Sequence, residues 1–195
     1  MPGPTALLAW LPVDPSHYMV VDLEATCDDR GRMPKHEMET IEIGAVMVEG
    51  QGLNIVSEYQ TFVRPVRHPV LTHFCRQLTT IEQADVDNAP GFPEAFAALV
   101  DWWRAHDAAL FCSWGFYDRK QFEQDCAHHT VPYPFGDHHL NVKRAFAHEL
   151  RLPGGVGMSR ALKRVGLPLS GTHHRGIDDA RNIARLLPWA LGRSS

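Results

Sequence analysis

Between residues 18 and 23 the chain reads Tyr-Met-Val-Val-Asp-Leu, a short apolar run rich in β-branched side chains that predicts a strand buried on both faces. Residues 27–39 are polar and hold Gly31 and Pro34, which predicts a surface loop. Apolar positions return over residues 40–48, and Gly50-Gln51-Gly52 turns this second strand into a third over residues 54–63, an antiparallel meander. After Pro90 the period lengthens: Phe92, Phe96, Leu99 and Trp103 fall on one stripe of a helix. A fourth strand is expected over 109–114, a helix over 118–126, a short fifth strand over 140–142 and a helix over 143–150. Another helix spans 158–165 with Gly166 as its stop, and the last runs from 176 to about 191, with Pro188 set to bend it. Three strands in a meander followed by alternating helices and strands predict an α/β fold built on a mixed sheet.

Composition bounds the class. A chain of 195 residues holds one domain at roughly 150 residues each, here residues 18–191 between an N-terminal arm (1–17) and a short tail (192–195). Hydrophobic residues at 44% and charged residues at 22% exclude disordered, collagenous and membrane classes. The apolar stretch at 5–13 contains Pro12, lacks a basic flank and is too short to span a bilayer, so it is expected to pack on the domain. A net charge of −4 argues against coating duplex nucleic acid nonspecifically, so any such contact is local or mediated by cations. Cys27, Cys75, Cys112 and Cys126 form no Cys-x-x-Cys pair, which points to reduced thiols and a cytoplasmic protein. The doublets His128-His129 and His138-His139 lack the spacing of helical metal ligands.

The acids carry more information. Asp22 and Glu24 stand two apart at the C-terminal end of the first strand, so both point to one face, about 6 to 7 Å apart along the chain. Two buried carboxylates repel each other: either a cation holds them, or one is protonated, or the strand end already lies in solvent. Near the C-terminus, Asp178 and Asp179 are separated by about 100° on a helix. Helical steps from Asp178 reach Arg181, Asn182 and Arg185, a polar face, while those from Asp179 reach Ile183 and Leu186, the buried stripe. Asp179 therefore faces the core, either bonding backbone N–H groups at the helix start or joining Asp22 and Glu24. Asp118 opens a helix, either satisfied there as an N-cap or, if the strand before it neighbours the first, carrying its carboxylate to the same end of the sheet.

Three segments together resemble the DEDDh 3′–5′ exonucleases of the ribonuclease H-like superfamily: Asp-Leu-Glu-Ala-Thr at 22–26, Trp-Gly-Phe-Tyr-Asp at 114–118 and His-Arg-Gly-Ile-Asp-Asp at 174–179. The run from Asp22 to Cys27, the strand at 39–46 and the segment from Phe74 to Pro90 look most like the Eri-type branch, which trims 3′ ends of structured RNAs. That resemblance implies a five-stranded mixed sheet flanked by helices, metal ligands at Asp22, Glu24, Asp118 and Asp179, and a general base at His174; the neighbouring His173 competes for that role but, as a loop histidine, is expected at the surface. It also implies a terminal-nucleotide pocket matched by Phe74, Cys75 and Leu78.

Four converging carboxylates would carry a charge near −4, which two Mg²⁺ or Mn²⁺ ions cancel, so a pair of such ions is expected. An imidazole with a pKa near 6.5 suits proton acceptance at neutral pH. Leu23, Ala25 and Thr26 lie beside the first ligands, Trp114 offers a stacking surface, and the backbone N–H groups of Ala25 and Thr26 are candidates to hold a 3′-hydroxyl. The expected substrate is a single-stranded 3′ end, RNA ahead of DNA, with no membrane partner. Two rivals stay open: a DNA proofreading or repair exonuclease on the same fold, and a nucleic-acid-binding adaptor without turnover. Keeping all five of Asp22, Glu24, Asp118, His174 and Asp179 argues against the adaptor.

Overall fold

The computed structural model describes residues 15–107 and 109–194; the stretch at 5–13, expected as an arm, lies outside the described residues. Five strands form one sheet: β1 (His17–Ala25), β2 (Thr40–Glu49), β3 (Ile55–Phe62), β4 (Leu110–Ser113) and β5 (His139–Asn141). Their order is β3-β2-β1-β4-β5. β1 pairs antiparallel with β2 and parallel with β4; the sheet is mixed, with the acid-bearing strand at its centre. The helices are α1 (His73–Thr79), α2 (Gln83–Asp87), α3 (Phe92–Arg104), α4 (Tyr117–His129), α5 (Val142–Glu149), α6 (Met158–Arg164) and α7 (Gly176–Ala190).

The alternation along β1 sorts its residues between two cores. Tyr18 and Val20 pack with α5, α6 and α7, whereas Met19, Val21 and Leu23 pack with α3 and α4. Since the side-chain period is two, Asp22 and Glu24 continue the α7 side. β1 runs two residues past the expected end, because Ala25 still pairs with Thr40 after a register shift at Glu24. The short helices α1 and α2, seven and five residues long, were beyond the reach of hydrophobic periodicity; local bonds make them. Thr72 Oγ1 accepts from Cys75 N at 3.0 Å, and Glu82 and Asp85 form a reciprocal capping box.

Asp118 is not an N-cap. α4 begins one residue earlier, at Tyr117, and the Asp118 carboxylate reaches across to β1, where Oδ1 accepts from Leu23 N at 3.0 Å. The polar face running from Asp178 is partly buried. Asn182 is fully buried, its amide donating to Ser170 O and Asp178 O, so it ties the chain before α7 to the helix.

α7 lies unusually close to the sheet at its N-terminus. A Cβ at Gly44 on β2 would stand 2.0 Å from Gly176 C, and one at Gly176 would stand 2.9 Å from Asp22 O. Only hydrogen fits at both positions. Beside them the fully buried Glu42 accepts from Gly176 N at 3.0 Å and Arg175 Nε at 3.0 Å. Gly44→Ala must push the helix start off the sheet, and a loss of about 3 kcal/mol is expected in urea unfolding; a change below about 0.5 kcal/mol would contradict the contact.

Candidate active site

Three elements bring four acids to one pocket. β1 supplies Asp22 and Glu24, α4 supplies Asp118 in its first turn, and α7 supplies Asp179, also in its first turn. Asp22, Glu24 and Asp179 each offer a carboxylate oxygen within 4.8 Å of the others. Asp118 lines the same pocket with one oxygen tied to the β1 backbone. Glu24, Asp118 and Asp179 are buried. The pocket, about 390 Å³, is also walled by Leu23, Ala25, Leu78 and Trp114.

Such crowding must distort proton affinities. Burial pushes the Asp22 carboxyl well above its usual range, and the negative charges of Asp118, Glu24 and Asp179 push it further. Burial, then Asp179 and Glu42, raises Glu24 to about 8. Asp118 rises to about 6 through burial, held back by its bond from Leu23 N. Burial also raises Asp179, and its Oδ1 is buried without a hydrogen-bond partner. An orphaned oxygen facing two further carboxylates has the chemistry of a hard divalent-cation site, which takes oxygen ligands and supplies the missing positive charge. The donor set fits.

Two histidines flank Asp179. His173 Nδ1 lies 2.8 Å from Asp179 Oδ2, and the His174 backbone N–H donates to that same oxygen at 3.0 Å. Their rings stack at 4.0 Å between centroids, with His174 in the left-handed region at φ 64°. Both line the pocket. His173 is exposed, as its sequence reading as a surface residue expects, and it is nonetheless the side chain that hydrogen-bonds the acid. Burial, and then the neighbouring His173, lower the His174 pKa, with Asp179 acting in the opposite sense.

The other expected residues divide. Leu23, Ala25, Leu78 and Trp114 line the pocket, with Trp114 Nε1 donating to Val156 O at 3.1 Å. Thr26 is buried behind it, and its N–H donates to Glu39 O at 2.8 Å, so that N–H is not free for a 3′-hydroxyl. Cys75 is fully buried, its thiol donating to Ala25 O at 3.7 Å, beneath the wall rather than on it. Phe74 lines a separate, adjoining hollow with Arg30, Arg32 and His73. Wall residues that periodicity could not find are Cys27, Met38, Tyr117, Gly157 and Met158. Met38 is held in place by Gln121 and Gln124, whose amides donate to its carbonyl at 2.9 and 2.7 Å. Elsewhere Glu39, His128 and His129 come together, but the Glu39 carboxylate already accepts from the N–H groups of Val66, Arg67 and His68.

The carboxyl shifts have a stability consequence. The folded protein holds these protons more tightly than the unfolded chain, so without metal its stability falls as pH rises from about 4.5 towards about 8, the span over which Glu24 is displaced. In EDTA, Tm is expected to drop across that window, and Mg²⁺ or Mn²⁺ to raise Tm more at the alkaline end than at the acid end. A Tm flat with pH and indifferent to metal would contradict the arrangement.

The profile of the Exonuclease (RNase_T) family matches residues 19–187. Among curated proteins, the chain is 29% identical over 175 residues to human 3′-5′ exoribonuclease 1, covering 86% of this chain and 50% of that protein. It is 33% identical over 196 residues to mouse ERI1 exoribonuclease 3, covering 93% and 56%. The chain thus spans about half the length of these relatives. Among solved structures, the nuclease domain of 3′hExo, a DEDDh family member bound to rAMP, superposes with a TM-score of 0.85 at 28% identity, over 91% of this chain and 92% of that one. A 3′-exonuclease structure described as 3′-end specific recognition of histone mRNA stem-loop gives 0.85 at 26%, over 91% and 65%. Fold, motif order and profile agree, and the chain belongs to the Exonuclease (RNase_T) family as an Eri-like member of DEDDh type with a ribonuclease H-like fold.

Proposed function

We propose that the chain is a 3′–5′ exonuclease that shortens nucleic acid from its 3′ end, RNA in preference to DNA, and releases nucleoside 5′-monophosphates. Residues 18–191 form the catalytic unit. Asp22, Glu24, Asp118 and Asp179 would hold two divalent cations, Mg²⁺ or Mn²⁺. The observation that carries this reading is the buried meeting of carboxylates from β1, α4 and α7, with Asp179 Oδ1 left unpaired. The preference for RNA is supported by the relatives, which are exoribonucleases, and by the neighbour bound to rAMP. Free thiols at Cys27, Cys75, Cys112 and Cys126 favour a reducing compartment, the cytoplasm.

When bound, the cations supply Lewis-acid stabilisation of charge at the phosphate. The chain's own residues do the rest. Leu23, Ala25, Leu78 and Trp114 give the terminal nucleotide an apolar seat beside the acids. His174, its pKa lowered, stays neutral near pH 7 and accepts the proton of the attacking water. His173 and the His174 N–H grip the same Asp179 oxygen, which keeps its other oxygen turned inward. His173 is a positioning residue in this scheme.

A 5′-labelled oligoribonucleotide should shorten stepwise with Mg²⁺ or Mn²⁺, faster than its DNA counterpart, and EDTA should stop the reaction. A 3′-phosphate should slow it. Asp22→Ala is expected to lower kcat roughly 10³-fold and His174→Ala roughly 10²- to 10⁴-fold. Near wild-type rates for either variant would refute the assignment.

A further inference from the structure

The segment that closes one side of the pocket differs in charge from the rest of the chain. Residues 150–177 contain no Asp or Glu, yet they hold Arg151, Arg160, Lys163, Arg164 and Arg175, in a chain of net charge −4. Arg175 is paired with Glu42. Arg160, Lys163 and Arg164, all on α6, are exposed and make no ion pair or side-chain hydrogen bond among the described residues. Other arginines do: Arg119 lies 2.7 Å from Glu123, and Arg181 lies 2.6 Å from Glu58.

Both ends of the stretch leading through α6 reach the pocket. Gly157 and Met158, where α6 begins, line it, and so do His173 and His174, where the chain returns to α7. Met158, Ala161 and Leu162 are buried in the core shared with α7, so the opposite side of α6 faces solvent. There Arg160 stands three and four residues from Lys163 and Arg164, spacings that put the three cations on one face. Lys163 and Arg164 in the last turn suit the helix macrodipole, but Arg160 in the first turn opposes it. Mutual repulsion and the dipole both count against this grouping in the isolated helix, and an anion lying across it relieves both. A further cation, Lys143 of α5, runs its stem beside the loop before α6, where a Cβ at Gly155 would meet Lys143 Cε at 2.8 Å.

Resting on the exonuclease reading, we infer that this face of α6 binds the phosphates of the substrate strand on the 5′ side of the terminal nucleotide. With its four acids offset by the bound cations, the pocket holds only the last phosphate, and a basic face starting at the pocket wall supplies the positive charge for the phosphates behind it. Arg160, Lys163 and Arg164 set affinity for longer strands and leave the chemistry at the last phosphodiester to the pocket.

The test is Arg160→Gln/Lys163→Gln/Arg164→Gln, compared with the parent on two substrates: an oligoribonucleotide of about 12 nucleotides, and the p-nitrophenyl ester of a nucleoside 5′-monophosphate, too short to leave the pocket. At about 0.1 M salt, kcat/KM on the oligomer should fall 10- to 100-fold, through KM, and the slope of log kcat/KM against log salt should become shallower by about 2. Ester hydrolysis and Tm should stay at the parent's values. Unchanged oligomer kinetics and salt slope would overturn the inference, as would a matching fall on the ester. If the parent hydrolysed neither substrate, the exonuclease reading would fail by itself, and fluorescence anisotropy with the labelled oligomer would still decide this one. A Kd raised by the same factor supports the basic face; an unchanged Kd overturns it.

Discussion

Everything at the pocket depends on how closely the first turn of α7 can sit on β1 and β2. Gly44 and Gly176 allow backbone to meet backbone there, and buried Glu42 secures the contact by accepting from Gly176 N and Arg175 Nε. Arg175 also lies over the Phe62 ring at 5.3 Å, which anchors the helix start to β3 as well. Asp179, three residues into the helix, is carried by this seating to Asp22 and Glu24. A side chain at either glycine would lift the aspartate away from its partners, so the two smallest residues of the region set the geometry of the most highly charged one.

Bringing the acids together costs stability. Burial and mutual repulsion raise Asp22, Glu24, Asp118 and Asp179 together, the reverse of what salt-bridged surface carboxylates show. The surrounding cores supply the compensation. β1 is packed on both faces by separate apolar clusters, and Glu39 and Asp125 anchor the loop after β1 through bonds from Val66 N and Thr40 Oγ1. This polar scaffold holds Met38 and the pocket's rim without adding ligands to it.

Much of this was legible in the chain. The meander, the helix periods and the three short motifs led to the sheet, its flanking helices and the five central residues, because each rests on local pattern or on motif order. What escaped the sequence depends on contacts distant along the chain. Asp118 turned from cap to cross-sheet acceptor because Leu23 N lies within reach. The Thr26 N–H was already taken by Glu39 O. His173 rather than His174 makes the ring hydrogen bond to Asp179, and adjacent residues of one type carry no signal to tell them apart. The close approach of Gly44 to Gly176 could be suspected from two glycines but not paired, as 132 positions separate them and no periodicity links a strand to a helix start.

The most direct measurement is anomalous diffraction from crystals soaked in manganese. The account requires manganese density within coordination distance of Asp22, Glu24, Asp118 and Asp179, with the Asp179 oxygen that is now unpaired among its ligands. Crystals that diffract well, show these side chains ordered and place no manganese between them would contradict it.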